Sequence, residues 1–375
     1  MKNIKPSELK NMVGIHYKTK TPLFIYGAFG IGKSAIVKDS AREIAKERKR
    51  EFIEWNKTTK EKKTELLKTP EKYFILFDTR LSQFEPSDMK GLPKFDSDGK
   101  KYLEWAIPLW LEYLTKEKAD GILFFDEMNL APPSVLASCY QILHDREIDE
   151  QKLNENVLVI GAGNRLCDKA HTYDIPLPLR DRKSEVELVI DSDEWFEWAL
   201  NNNINPNIIS FLKFRNDYLL KVENDRESKA ITPRGWERTS KLLEHTKKEK
   251  DKHNIISASI GEGVATEFLA FIKLQKSVNI DDILKNPKSV KLVDGVDLKY
   301  SLIAGLSSRY DKDKKSLNQQ LEICNFLEAE FGILLLKLLK AISPQHFKNN
   351  VSKSKVWKDE LYSEYGKYLL DVGRD

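Results

Sequence analysis

The chain has 375 residues, of which 32 % are charged and 41 % hydrophobic. That length exceeds one small core and calls for two or three domains with a heavily charged surface. Its 62 basic and 58 acidic residues leave a formal net charge of only +4, which argues against a protein whose main work is coating nucleic acid. Three widely spaced cysteines, Cys139, Cys167 and Cys324, suggest neither a disulfide framework nor a zinc site.

The start of the chain, Met-Lys-Asn-Ile-Lys-Pro, has no apolar signal core, so a reducing cytoplasm is the expected location. Residues 5–15 are predicted as a short helix. Leu23 to Tyr26 then form a buried strand that runs into Gly27, Ala28, Phe29, Gly30, Ile31, Gly32, Lys33, Ser34 and Ala35. Gly27-x4-Gly32-Lys33-Ser34 is the spacing of a phosphate-binding loop. Its glycines let backbone N–H groups crowd an anion, and the helix that follows aims its positive end at it. In such a loop Lys33 reaches the β- and γ-phosphates of ATP, and the Ser34 hydroxyl binds Mg²⁺.

Helical periodicity continues to about Arg50. Residues 46–68 mix Lys, Arg and Glu with Phe52, Ile53 and Trp55. They are read as a solvated helix or insertion, with nucleic-acid contact as the alternative. Tyr73 to Asp78 is the second strand. Asp96-Ser97-Asp98-Gly99 reads as a hairpin turn, not a calcium loop, because the remaining ligand spacing is absent. A helix is expected from Pro108 to Leu114.

Gly121 to Phe125 is a wholly apolar third strand ending at Asp126-Glu127. Asp126 is the expected second Mg²⁺ ligand, and Glu127 the base that orients and deprotonates water. Pro132-Pro133-Ser134 opens a helix. Val157 to Ala162 is the fourth strand, and Asn164 just after it is placed to hydrogen-bond the γ-phosphate or the lytic water. Arg180 and Arg182 are candidate donors of positive charge to that phosphate, with surface pairing to Asp181 or Glu185 as the alternative. Val186 to Ile190 is the fifth strand. Continuously apolar strands alternating with helices predict a parallel sheet covered on both faces.

Beyond Ser192 the strand signals end. Trp195, Phe196, Trp198 and Ala199 sit at helical spacing and read as core. Helices are predicted near 206–216, 232–245 and 262–275, with Thr232 as N-cap and Pro233 at the first turn. A boundary is placed near 286–300, and one long helix from Leu317 to Ile342. Lys337 and Lys340 interrupt the most apolar part of that helix, which excludes a membrane span.

Together these motifs resemble an AAA+ ATPase, and within that class the MoxR-type group. Gly-Ala-Phe-Gly-Ile-Gly-Lys-Ser is similar to its Walker A motif. Leu-Phe-Phe-Asp-Glu-Met-Asn-Leu-Ala-Pro-Pro-Ser-Val-Leu is similar to its extended Walker B motif. Ala-Gly-Asn-Arg resembles sensor 1, which gives Asn164 that role. Leu-Arg-Asp-Arg resembles the arginine-finger segment, with Arg182 the better match and Arg180 still open. Ile-Thr-Pro-Arg resembles sensor 2, which implies that Arg234 touches the γ-phosphate from a lid. The resemblance covers about 20–275, and residues 290–375 match nothing in it.

The fold implied is α/β: a five-stranded parallel P-loop NTPase sheet, an all-α lid and a helical C-terminal extension. Its domains are 1–192 with an insertion around 82–110, then 193–288, then 289–375. Phe95, Tyr102 and Trp105 in the insertion are candidate contacts to a partner. The activity implied is Mg²⁺-dependent ATP hydrolysis by a homo-oligomeric ring, with a hexamer as the expected assembly. Such a ring works on a protein client, often with a von Willebrand factor A domain protein and without a membrane. The alternative is a nucleic-acid-stimulated motor of a restriction or defence system.

Overall fold

The computed structural model describes residues 1–94, 104–165, 184–222 and 229–369, and these form two compact units, 1–191 and 192–375. The first unit is built on a seven-stranded parallel sheet. Its strands are β1 (Lys2–Ile4), β2 (Leu23–Tyr26), β3 (Glu51–Glu54), β4 (Tyr73–Arg80), β7 (Gly121–Asp126), β10 (Val157–Gly163) and β11 (Ser184–Leu188). They lie in the order β1-β11-β2-β10-β7-β4-β3. Two small antiparallel pairs stand apart: β5 (Leu92–Lys94) with β6 (Glu104–Ala106), and β8 (Glu147–Ile148) with β9 (Gln151–Lys152).

All five predicted strands are present, and two more flank them. The added strands are the edges. Lys-Asn-Ile in β1 and Glu-Phe-Ile-Glu in β3 are short and polar. An edge strand faces water along one side and needs no continuous apolar run, so neither strand announces itself by hydropathy. β3 also changes the reading of 46–68. That stretch is not a solvated helix: it holds an edge strand, the buried Trp55, and helix α3 (Lys60–Leu66) with Leu66 buried.

Parallel strands require crossovers, and helices supply them on both faces. On one face α1 (Pro6–Thr19) and α2 (Lys33–Glu47) bring Leu9, Val13, Val37 and Ala41 against Phe74, Ile122, Phe124 and Ile160. On the other, α4 (Pro86–Lys90), α5 (Leu109–Thr115) and α6 (Pro133–Asp145) bring Met89, Trp110, Leu114, Leu136 and Ile142 against Phe24, Phe77, Leu123 and Val159. Side chains alternate faces along each strand, so the apolar run 121–125 of β7 feeds both cores.

The amino end of β7 carries a buried ionic knot. Asp120 is fully buried; it accepts from the Tyr17 hydroxyl at 2.6 Å and from Arg48 Nε at 3.2 Å, and forms an ion pair with Arg50, Nε 3.4 Å away. Burial, then the bond to Asp120, pushes the Tyr17 phenol above its ordinary range. The knot fastens α1 and the end of α2 to the sheet.

The second unit is helical. It contains α7 (Ser192–Asn201), α8 (Pro206–Phe214), α9 (Pro233–His245), α10 (Glu249–Ile260), α11 (Glu262–Leu274), α12 (Ile280–Lys285) and α13 (Val296–Lys312). It continues with α14 (Leu317–Cys324), α15 (Ala329–Ile342) and α16 (Pro344–Val351). Phe211 is its hub, meeting Tyr218, Trp236, Phe268 and Phe271 at ring distances of 5.1–6.1 Å. Thr232 caps α9 as expected, accepting from the Gly235 N–H at 3.1 Å. Residues on either side of 288 pack together, and the Ser301 hydroxyl donates to the Phe271 carbonyl at 2.9 Å.

The single helix expected from Leu317 to Ile342 is instead two, α14 and α15, broken at 325–328. One straight helix cannot pack on itself. The break lets α14 fold back onto α15, and Leu321, Cys324, Leu335 and Leu339 are all buried. Among the described residues no helix is long and apolar enough to cross a membrane.

The knot at Asp120 makes a measurable claim. Asp120→Ala removes the buried carboxylate that pairs with two guanidinium groups and accepts from a phenol, and is expected to cost about 3 kcal/mol. Tyr17→Phe removes one hydrogen bond and is expected to cost about 1 kcal/mol. Urea denaturation of each variant checks both values.

Candidate functional site

In a parallel sheet neighbouring strands end on the same side. β2, β10 and β7 are adjacent, with Tyr26 beside Gly163 and Gly161 beside Phe125. The segments that follow them therefore converge, and these are the loop 27–32, Asn164 and Asp126-Glu127. Open parallel sheets bind ligands at this end.

The loop is shaped by its glycines. Gly30 and Gly32 have φ of 74° and 102°, a region that side chains with a Cβ disfavour. A Cβ on Gly27 would stand 2.9 Å from the Leu188 carbonyl oxygen, so the loop can run under the end of β11 only with glycine there. α2 then starts at Lys33 with Gly32 as its N-cap, and its first N–H groups open toward the loop.

Lys33 is buried, and its ammonium donates to the carbonyls of Gly27 at 2.7 Å and Ala28 at 3.0 Å. It also lies 3.4 Å from Asn164 Oδ1. A cation is thus stored beside a cradle of N–H groups. Ser34 Oγ donates to Asp126 Oδ2 at 2.6 Å. These are two hard oxygen donors in contact, and they suit Mg²⁺, which takes few protein ligands and completes its shell with water and phosphate oxygens. The expected metal pair is brought together, and the residues fit that ion.

Asp126 Oδ1 accepts the N–H of Glu127 at 2.9 Å, so both its oxygens are committed. Glu127 adopts left-handed backbone, φ 52°, at a cost of about 1 kcal/mol for a residue with a Cβ. The turn points its carboxylate away from Asp126 and toward Ser82, whose hydroxyl donates to Glu127 Oε2 at 2.9 Å. Ser82 follows the end of β4, the strand next to β7. Its link to Glu127 was not legible in the sequence, and the signal for it is a hydroxyl residue just past a strand's carboxyl end.

Asp78 is a second residue the motifs do not flag. It lies near the end of β4. Burial, and then the charge of Asp126, push its carboxyl up to about 6, against opposing pulls from Arg80 and Lys38. Asn129 lies inside the acidic-strand motif but was given no role there: it is buried and hydrogen-bonded to the backbone of Asn164 at both ends of its amide.

The remaining candidates are distributed as follows. Arg180, Arg182, Phe95 and Tyr102 lie outside the described residues. Arg234 stands exposed in the first turn of α9, in the second unit. Trp105 is 48 % exposed on β6, opposite Pro93 on β5. Its neighbour Trp110 is different: it is buried, stacks on Phe77 at 4.9 Å and donates to the Asp88 carbonyl. A cavity of about 700 Å³ lies between α1 and α2, and none of residues 27–34 lines it. It belongs to the opposite end of α2.

No protein-family model matches the chain, and no curated protein does. Among solved structures it is similar to a mutant of RuvB from Thermotoga maritima, with 16 % identity, 80 % of each chain covered and a TM-score of 0.33. It is also similar to a putative ATPase from Cytophaga hutchinsonii, with 11 % identity, 92 % of this chain and 79 % of the other covered, and a TM-score of 0.34. A replication initiator DnaA bound to AMPPCP and single-stranded DNA gives 15 % identity, 96 % and 89 % coverage, and a TM-score of 0.27. Likeness this slight leaves the function to be argued from the site.

The raised Asp78 carboxyl has a sign. The folded chain holds that proton more tightly than the unfolded chain, so the stabilising contribution is full below the ordinary aspartate range. It is lost as pH rises through about 6. Asp78→Asn is therefore expected to be more stable than the parent at pH 7.5, by about 1 kcal/mol after allowance for partial solvent screening. The two are expected to converge only below the ordinary aspartate range, at about pH 3, and thermal melts at both values check this.

Proposed function

We propose that the chain is a Mg²⁺-dependent ATPase of the AAA+ class. The contact of Ser34 Oγ with Asp126 Oδ2 at 2.6 Å carries this reading. It joins a phosphate loop to an acidic strand end, with Lys33 and Glu127 on either side. A glycine-rich turn with no nucleotide to bind does not require a buried lysine, a metal pair and a second carboxylate in one place.

In the proposed reaction the loop N–H groups and Lys33 hold the phosphates. Lys33 exchanges the carbonyls of Gly27 and Ala28 for phosphate oxygens. Mg²⁺, held by Ser34 and Asp126, would neutralise charge developing on the β- and γ-phosphates. Glu127 takes a proton from water as its oxygen bonds to the γ-phosphorus. The bond from that phosphorus to the β–γ bridging oxygen breaks, giving ADP and phosphate. Asn164 orients the water. The arginine finger, Arg182 or Arg180, comes from a neighbouring subunit, and Arg234 acts from the lid.

In this reading 1–192 is the nucleotide-binding domain, 193–288 the lid and 289–375 a helical extension. The protein works in the cytoplasm as a ring, with a hexamer as the first expectation. It is of MoxR type and remodels a protein client, with a von Willebrand factor A domain protein as partner. The exposed Trp105 and Leu92 of the β5–β6 pair favour contact with a protein. The alternative, a nucleic-acid-stimulated motor, rests on the basic stretch 46–68 and on the Lys-rich run 247–252. In 46–68 Lys57 pairs with Glu54, Lys62 with Glu65, and Lys63 lies over Trp55, so part of the charge of that stretch is answered within it.

Glu127→Gln is expected to bind ATP with near-parental affinity and to hydrolyse it ~100-fold more slowly. Turnover within threefold of the parent would sink the assignment. Lys33→Ala is expected to lose ATP binding itself. The same assay with single-stranded DNA at low salt separates the two readings, because a motor gains activity that high salt removes.

A further inference from the structure

We propose that Asn129 is a positioning residue for hydrolysis. It ties the strand end that bears Asn164 to the turn that bears Glu127. This inference rests on the ATPase reading above.

Asn129 belongs to the short turn Met128–Leu130, which begins directly after Glu127. It is 2 % exposed. Its amide is used twice, and both times on the backbone of one residue. Nδ2 donates to the Asn164 carbonyl at 2.8 Å, and Oδ1 accepts the Asn164 N–H at 3.1 Å. Asn164 is thereby held at both of its backbone polar groups. Its side chain is left to reach toward Lys33, with 3.4 Å between Oδ1 and the ammonium.

The neighbouring residue makes this approach possible. A Cβ on Gly163 would stand 2.6 Å from Asn129 Oδ1. Glycine at 163 therefore admits the amide, and the amide then fixes residue 164. The result is an unbroken path from the expected base to the expected water-orienting group: Glu127, two peptide units, the Asn129 amide, the Asn164 backbone. Hydrolysis needs water between Glu127 and Asn164, and reaction rates fall steeply when reacting groups drift by about 1 Å. An amide clamped to one backbone unit holds that spacing. A purely apolar side chain at 129 would fill the same space and leave both Asn164 groups unpaired.

Asn129→Asp separates a positioning role from a packing one. The carboxylate keeps the shape and still accepts the Asn164 N–H, but it faces the Asn164 carbonyl with no proton to donate. Its kcat is expected to fall ~20-fold, while the Kd for a non-hydrolysable ATP analogue changes less than ~2-fold. The decisive comparison is the same substitution in an Asn164→Ala background. There it is expected to add less than ~2-fold, because the side chain it positions is gone. Equal losses in both backgrounds would overturn the proposal. Amide exchange gives a readout without turnover: the Asn164 N–H is expected to be protected in the parent and to exchange at least ~10-fold faster in Asn129→Leu. Equal exchange in the two would also overturn it. A parent chain with no Mg²⁺-ATP hydrolysis would defeat the ATPase reading alone, and exchange would then decide whether the clamp exists.

Discussion

The hydroxyl of Ser34 and the carboxylate of Asp126 meet across 92 residues of chain. That contact is possible only because β2 and β7 are both hydrogen-bonded to β10 and all three run in parallel. Antiparallel pairing of either strand would carry one of the two groups to the far edge of the sheet. Everything else at the site hangs on this alignment. Lys33 is set by the same turn that sets Ser34. Glu127 and Asn129 follow Asp126, and Asn164 follows the strand between them.

The two edges of the sheet divide the labour. At the carboxyl ends the chain gathers polar groups that have exchangeable partners: carbonyls that hold Lys33, a hydroxyl that holds Glu127, a carboxylate that holds Ser34. Each of these bonds can be traded for one to phosphate, metal or water at small net cost, since a hydrogen bond exchanged for another changes little. At the amino ends Asp120 gathers Tyr17, Arg48 and Arg50 into a buried knot that ties helices to the sheet.

Two tight backbone features meet at the carboxyl ends of the strands. Left-handed backbone at Glu127 and the tight fit of Gly163 against Asn129 occur on consecutive sides of one cleft. Neither helps the fold by itself. Both make sense when Glu127, Asp126 and Asn164 must point in different directions from neighbouring strand ends, which an unstrained strand-to-helix turn does not achieve.

The phosphate loop, the acidic strand end and the five inner strands were legible in the sequence. Their signals are local: glycine spacing, unbroken apolar runs, a charged pair at a run's end. The edge strands β1 and β3 were not, because half-solvated strands carry no such run. The break between α14 and α15 was hidden as well, since Asn325 to Glu328 contain neither proline nor glycine and packing alone decides the turn. The links from Ser82 to Glu127 and from Asn129 to Asn164 are decided by the tertiary structure. They join residues 45 and 35 positions apart, and only the order of strands in the sheet makes those residues neighbours. By itself the sequence determined which chemical groups the chain possesses and the strand end at which each stands. The fold decided which of them touch, because contact between distant segments depends on strand order and register, and no local pattern encodes either.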